Sequence, residues 1–383
     1  MVPGIVIAAA ARTPLGAFQG GLAAVPAPQL GAAALGAALR RCGQEPQAAA
    51  ITDVFLGQVL TAGAGQAPAR QAALKAGLPA SVRCVTVNKV CGSGLEAIIQ
   101  AARLIAAGES QWAAAGGMEN MSLAPYLLPN ARQGWRLGHQ TAVDSLIHDG
   151  LWDPGYQMHM GACAERCAEK YRFSREEQDA WAAESFRRAR AAQTPEKFGA
   201  EIAPVGAVAE DEGPARFQPE KMRQLKPAFA DEGTITAANA SSLNDGAAAV
   251  VLAAEGAAPS AWARIVSWAG AAQDPLWFTT APIAAAREAA RRAGWPLASI
   301  DLFEVNEAFA VVPLAFARDL EVDPERLNVR GGAIALGHPI GASGARIVVT
   351  LLHAMRERGA RRGLAALCIG GGEGLALCLE RIT

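Results

Sequence analysis

Asn88-Lys89-Val90-Cys91-Gly92-Ser93-Gly94 opens a stretch of helical spacing, Leu95 to Ala107, which runs into an apolar strand ending Gly116-Gly117-Met118-Glu119. In the second half, Gly337-His338-Pro339-Ile340-Gly341-Ala342-Ser343-Gly344 opens another such helix, through Arg356. It leads to a strand ending Cys368-Ile369-Gly370-Gly371-Gly372-Glu373-Gly374. A glycine-rich turn, a helix and a strand with a glycine-rich end therefore occur twice. Two related halves are the economical explanation, and packing them about a pseudo-two-fold axis would turn both glycine-rich turns towards one cleft.

Working outward, the same grammar fills the chain. Short apolar runs (Ile5 to Ala10, Val54 to Leu56, Cys84 to Val87, Trp112 to Ala115) are followed by turn residues, with helical spacing between them. It resumes at Ala263 to Ala269, Leu302 to Val305 and Leu364 to Ile369. Strands alternating with helices predict an α/β fold of mixed sheets covered by helices. The chain has 383 residues, 51% of them hydrophobic, so it can bury one large core or several fused ones. From Asn120 to Ala240 the character changes to irregular Pro- and Gly-rich stretches. One clear helix there starts at the capping box Ser174-Arg175-Glu176-Glu177 and runs to about Ala192. The expected organisation is a first half over residues 1–119, completed by about 241–263, a loop domain over 120–240, and a second half over 264–383. A segment of that length in a compact protein points to a lid or a clamp for a bound molecule.

The formal net charge is -1 and there is no long Lys or Arg run, which argues against nucleic acid or an anionic membrane as partner. Val2 to Ala11 has no leading basic segment and is too short to span a bilayer, so neither an export signal nor a membrane anchor is expected. Seven cysteines scattered through a long chain argue for reduced thiols and a cytoplasmic setting.

Each chemically suggestive residue has two readings. Cys91 stands at a helix start, where free backbone N–H groups and the helix dipole favour a thiolate, and the glycines beside it let a substrate approach. The bland alternative is a small buried cysteine at a strand end. His338, in a Gly-rich turn, could be the base that takes its proton or a structural histidine. Cys368, before three glycines whose N–H groups can face an anion, suggests a second proton-transfer group or a core cysteine. Asn306, at the end of the Leu302–Val305 strand, could hold a water or donate to an oxyanion, or cap a helix. Cys163 and Cys167, four apart near His159, read as packing on a helix face and not as a metal site, and no metal is expected.

Together these blocks resemble the thiolase family over essentially the whole chain. The blocks are Asn88 to Gly94, Gly116 to Ser122 (GGMENMS), Asn306 to Phe309 (NEAF), Gly331 to Arg346 (GGAIALGHPIGASGAR) and Cys368 to Gly374 (CIGGGEG). The resemblance implies an αβαβα sandwich of two pseudo-repeated mixed-sheet halves with an inserted loop domain that binds coenzyme A. It also implies a mechanism: Cys91 is acylated by an acyl-CoA, His338 activates it, and Cys368 removes the α-proton of a second acetyl-CoA. One oxyanion site would be His338 with a water held by Asn306, the other the N–H groups of Cys91 and Gly370. Leu151, His159, Met160, Phe229 and Ser241 would line the pantetheine channel, with Ala308 and Phe309 of the NEAF block beside it. The substrates would be acetyl-CoA, acetoacetyl-CoA and CoA, with no cofactor beyond them, and the assembly a homotetramer, a dimer of dimers.

GGMENMS and His159-Met160-Gly161 look closer to the short-chain acetoacetyl-CoA type than to the long-chain degradative type. Two positions depart from the family pattern: Glu373 stands where Met is common, and Arg330 where a neutral residue precedes Gly331-Gly332. Asp211 to Phe217 carries no obvious adenine-binding pattern. A ketoacyl synthase would pair its cysteine with two histidines, or with a histidine and an asparagine, where this chain has Cys368. A CoA- or lipid-binding protein without catalysis could have lost one of the three groups, all of which are present here.

Overall fold

Ile5–Arg12 is buried at all eight positions. An apolar run without polar alternation becomes a strand covered on both faces, and this one lies at the middle of the sheet path. In the computed structural model, which describes residues 4–43 and 50–382, the strands follow one another across the sheet. Their order is Leu302–Val305, Arg362–Ile369, Glu373–Arg381, Ala263–Ala272, Ile5–Arg12, Asn244–Ala254, Trp112–Asn120, Asp53–Gly57 and Arg83–Val87, with Gly16–Ala17 beside Asn244–Ala254. Val2 and Pro3, at the start of the amino-terminal apolar stretch, lie outside the described residues.

The repeat read from the glycine-rich turns is a repeat of pairing. In the first half Ile5–Arg12 and Trp112–Asn120 flank Asn244–Ala254 antiparallel, and Asp53–Gly57 joins Trp112–Asn120 parallel. In the second half Ala263–Ala272 and Arg362–Ile369 flank Glu373–Arg381 antiparallel, and Leu302–Val305 joins Arg362–Ile369 parallel. The first half adds one parallel edge strand, Arg83–Val87. The halves are continuous: Ile5, Val6 and Ile7 pair with Ile265, Arg264 and Ala263, so one ladder runs through both.

Helices make the remaining layers. Ser93–Ala106 and Ile340–Arg358 pack on each other and against strands of both halves, burying Ile98, Ile99, Ile105, Val348, Val349 and Leu351. Full burial of a large aliphatic side chain contributes about 1.5–3 kcal/mol, so this shared layer binds the halves together. Ala27–Arg41 and Pro68–Lys75 cover the outer face of the first half, and Ala281–Ala293 and Val311–Leu320 that of the second. The layers thus read α, β, α, β, α, as the resemblance implied.

Between Asn120 and Asn244 the chain leaves the sheet. It forms two small ladders (Tyr126–Leu127 with Val143–Asp144, Trp152–Asp153 with Met158–His159), the helix Met160–Tyr171 and the helix Arg175–Ala192. The last begins at Ser174, whose Oγ accepts from Glu177 N at 3.1 Å while the Glu177 carboxylate accepts from Ser174 N at 2.7 Å. Cys163 and Cys167 are buried in the hydrophobic cluster of the second half.

Candidate active site

Cys91 sits in the turn between the strand Arg83–Val87 and the helix Ser93–Ala106. Val90, beside it, has φ +46°, a left-handed conformation that a β-branched residue rarely adopts. Such a residue costs about 1–3 kcal/mol and persists only where its surroundings fix it. Here they do. Asn88 Oδ1 accepts from Val90 N at 3.0 Å, and Ser93 Oγ accepts from Lys89 N at 2.8 Å while donating to the Val90 carbonyl at 2.6 Å. The Lys89 ammonium pairs with the Glu373 carboxylate.

At Cys91 burial works against the thiolate that the helix start favours. Burial pushes the thiol up to about 11, outweighing the N–H groups of Gly370 and of Cys91 itself, which act in the opposite direction. The two N–H groups still face the sulfur, but desolvation wins and the group rests as a thiol.

His338 lies at the start of the long helix Ile340–Arg358. Its Nδ1 is 2.5 Å from Ser343 Oγ, and Ser343 Oγ donates to the Pro339 carbonyl at 2.9 Å. A hydroxyl that spends its proton on a carbonyl can only accept from the ring, so Nδ1 carries the hydrogen and Nε2 presents a lone pair. Asn306 Nδ2 stands 3.5 Å from that Nε2. Burial, with Arg346 adding to it, lowers His338 to about 3, so it is a neutral base near pH 7. Asn306 is held at its strand end by its N–H to the Ala366 carbonyl at 3.0 Å, with Arg346 Nη2 at 3.5 Å from its Oδ1. Arg346 is itself buried against Glu304 at 2.6 Å.

Cys91, His338 and Gly370 open on one cavity of about 570 Å³. Leu151, His159, Met160, Phe229, Ser241, Ala308 and Phe309 all line it. Asn306 and Cys368 are not on its wall. Asn306 meets it through His338, whereas Cys368 is buried at the end of Arg362–Ile369. Burial holds the Cys368 thiol well above its usual range, and Cys91 is near enough for the ionisation of one to oppose that of the other. Aromatic rings close one side: His159 stacks on Phe229 at 4.9 Å, and Phe229 and Phe278 each meet Phe309 edge-on.

A thiol and a neutral imidazole lining one cavity, backbone N–H groups that face the sulfur and a second thiol near the first suit acyl transfer with proton abstraction. The family model for the thiolase N-terminal domain matches residues 5–256 and that for the thiolase C-terminal domain residues 260–381. The chain belongs to the thiolase family. Among curated thiolase relatives, an acetyl-CoA acetyltransferase of Pseudomonas aeruginosa is 53% identical over 98% of this chain and 99% of that protein. One from Cupriavidus necator is 50% identical over the same shares. In structure, this thiolase matches an Ascaris suum thiolase solved in complex with coenzyme A, with a TM-score of 0.94, 43% identity and coverage of 99% of this chain and 100% of that one.

Several residues of the thiolase site escaped the sequence reading. Ser343 was quoted only as part of a glycine-rich turn, although it sets the tautomer of His338. Phe278 reaches the cavity from a short helical segment, Pro275–Thr280, with no motif to mark it. Glu307, read only as part of NEAF, accepts from Trp181 Nε1 (3.0 Å), Ser185 Oγ (2.7 Å), Asn328 Nδ2 (2.8 Å) and Ile334 N (3.2 Å), which ties the inserted helix to the second half. Of the two departures, Arg330 is buried between Glu201 and Glu357, and Glu373 faces Lys89; neither lines the cavity.

Proposed function

We propose that this thiolase is an acetyl-CoA C-acetyltransferase catalysing the reversible Claisen condensation of two acetyl-CoA to acetoacetyl-CoA and CoA. The observation that carries the reading is the convergence of Cys91, His338 and Gly370 on one apolar cavity in a chain about half identical to acetyl-CoA acetyltransferases.

His338 Nε2 takes the Cys91 proton as Sγ attacks the thioester carbonyl, and the C–S bond to CoA breaks, the departing CoA sulfur taking the proton of Cys368, which is left as the thiolate. A neutral imidazole is needed, because only as the proton moves does the sulfur acquire the charge that burial opposes at rest. The Cys91 and Gly370 N–H groups hold the oxyanion. Cys368 then abstracts the α-proton of a second acetyl-CoA, and His338 with Asn306 stabilises the enolate oxygen. The enolate carbon bonds to the acyl carbon as the Cys91 thioester breaks, the Cys91 sulfur regains its proton from His338, and acetoacetyl-CoA leaves with Cys91 and Cys368 again as thiols. Preorganised donors contribute most at the enolate, the least stable species on the path.

The aromatic wall of Phe229, Phe278 and Phe309, with Met160, leaves room for a short acyl group, and Leu151 and Ser241 flank the pantetheine arm. A second cavity of about 440 Å³ shares Phe18, Ala237, Ser242 and Leu243 with the first and carries Arg216 and Lys221, cations suited to the phosphates of the nucleotide end. This supplies a candidate for the adenine-side contacts that no sequence pattern marked. No cofactor beyond CoA thioesters is invoked. A homotetramer is proposed with it, supported by Leu128, Trp135 and Leu137 standing exposed between Leu127 and Val143. No described helix is long and apolar enough to cross a membrane, and a cytoplasmic setting is proposed on the scatter of seven cysteines through a long chain without a dense framework.

The test is a coupled assay of 3-ketoacyl-CoA thiolysis over increasing chain length. Activity should be greatest on acetoacetyl-CoA and fall with longer chains. A preference for long chains would replace this reading with a degradative one.

A further inference from the structure

Beneath the nucleophile turn lies a carboxyl group that the proposed chemistry does not use. Glu119, near the end of Trp112–Asn120, is wholly buried. Its partners are three backbone N–H groups: Val59 at 2.9 Å, Leu60 at 3.3 Å and Gly341 at 3.0 Å. These lie on the segments that carry the reacting groups. Gly341 follows His338 in the first turn of the helix Ile340–Arg358, and the Val59 carbonyl accepts from the Asn88 side-chain amide at 3.5 Å, where the nucleophile turn begins.

A second observation concerns Gln58. Its side chain is 1% exposed; Nε2 donates to the Leu60 carbonyl at 3.1 Å, while Oε1 has no partner. A buried carbonyl oxygen without a donor is costly, by roughly 1–3 kcal/mol, and calls for an explanation. Gln58 Cα and Glu119 Oε2 both lie within 2.9 Å of the point that a Cβ on Gly341 would occupy, so the residue that carries the orphan acceptor passes beside the carboxyl. A protonated carboxyl has the O–H that Gln58 Oε1 lacks.

We propose that Glu119 is a positioning residue of the acyl-transfer site: it holds the turn of Cys91 and the helix start of His338 in one register, and by exchanging a proton shared with Gln58 it sets how readily Cys91 ionises. The proposal rests on Cys91 being the nucleophile. Burial raises the Glu119 carboxyl to about 7, against the pull of its three N–H partners, and Asp245 adds to the rise. The acidic groups that face it are Asp245, on Asn244–Ala254, and Cys91 on the nucleophile turn, where a charge on Glu119 disfavours the thiolate. On the side of the helix Ile340–Arg358, His338 is neutral near pH 7 and Arg346 is engaged by Glu304. No described cation makes an ion pair with Glu119. Ionised, the carboxylate takes all three N–H bonds at full strength and opposes the Cys91 charge; protonated, it donates to Gln58 and releases that opposition.

The experiment follows two readouts, neither of which needs turnover. The first is the rate of Cys91 alkylation by iodoacetamide against pH, read by peptide mass spectrometry. The second is the infrared titration of buried carboxyl groups from mildly acidic to mildly alkaline pH. In Glu119→Gln, Cys91 should alkylate several-fold faster near neutrality, and one carboxylic-acid carbonyl band of the parent should be missing. In Gln58→Met the same band should titrate at lower pH, since the acid form has lost its acceptor. If Glu119→Gln does not fold, the displacement of the band in Gln58→Met decides. An alkylation profile superimposable on the parent's, or no band that responds to Gln58, overturns the proposal. Failure of the parent to take an acetyl group on Cys91 would instead remove the nucleophile reading, leaving the infrared result to judge the Glu119–Gln58 proton on its own.

Discussion

Gly94 and Gly344 leave room for each other's helix in reciprocal fashion: a Cβ on Gly94 would lie 2.7 Å from Ala345 N, and one on Gly344 2.5 Å from Leu95 N. Each glycine sits in the first turn of one of the two central helices, and each is required because the other helix's backbone passes there. The approach is what a pseudo-two-fold axis between the halves demands. It brings the helix starts behind Cys91 and His338 to one cleft.

Replacing either glycine by alanine should therefore force backbone against backbone. Overpacking of a rigid site typically costs about 1–3 kcal/mol. Gly94→Ala and Gly344→Ala should each lower the urea midpoint by a corresponding amount. The folded fraction that remains should form the Cys91 acetyl adduct more slowly, because both helix starts shift. An unchanged midpoint in either variant would mean that the helices are free to move apart.

The resting state of Cys91 gives a pH dependence with a definite sign. Burial raises this thiol from 9 to about 11, so its thiolate is scarce at neutral pH and grows as pH rises. At about pH 8 the thiolate fraction should be roughly a hundredfold below that of an unperturbed cysteine. Alkylation of the free enzyme should be slow and climb towards about pH 11. Acetylation by acetyl-CoA should instead be fast near neutrality, because His338 moves the proton during attack. Fast alkylation at neutral pH, comparable to that of a low-pKa thiol, would sink the argument. Cys91→Ser should lose acyl transfer in both directions, and an acetyl adduct persisting in it would move the nucleophile elsewhere.

Cys368 should fail in a different way. It is proposed to handle the α-proton and not the acyl group, and it lies behind the cavity wall. Cys368→Ser should keep the acetyl adduct on Cys91 and lose exchange of the acetyl-CoA α-deuterium. Equal loss of both would abolish the division of labour between the two thiols.

How much of this was legible in the sequence depended on whether the cause was local. Cys91, His338 and the doubled turn–helix–strand could be read because glycine, histidine and proline sit next to the groups that they serve. The capping box at Ser174 was readable for the same reason. The pull of burial on Cys91 was not legible, since a helix start is a local feature whereas burial is made by Ile340, Ile369 and other residues distant in sequence. Glu119 was missed because its partners come from two segments far from it in the chain, Val59–Leu60 and Gly341, and nothing in the order of residues marks Val90 as left-handed. The ladder that joins the halves, Ile5–Ile7 to Ala263–Ile265, was equally invisible, since it requires the register of two strands far apart in the chain.

The last prediction concerns the wall opposite Cys91. Met160 is 7% exposed, and its Sδ lies 3.3 Å from where a Cβ on Gly370 would stand, so the thioether packs against the backbone that faces Cys91, at what is proposed as the acyl end of the cavity. Met160→Ala should open that end. Each methylene of a substrate that becomes buried contributes at most about 0.8 kcal/mol, so the expected change is a several-fold relative gain for longer or branched acyl groups, with acetyl transfer retained. Ser241 is proposed to flank the pantetheine arm and is held by its own N–H to the Ala308 carbonyl at 2.9 Å. The arm is common to every substrate, and one neutral hydrogen bond is worth about 0.5–1.5 kcal/mol. Ser241→Ala should therefore raise KM about equally for all acyl groups and leave their ranking unchanged. Measuring kcat/KM for acetoacetyl-CoA and its 2-methyl analogue in both variants separates the two effects. An unaltered preference in Met160→Ala would place the acyl pocket elsewhere, and a changed preference in Ser241→Ala would put that serine beside the acyl group and not on the arm.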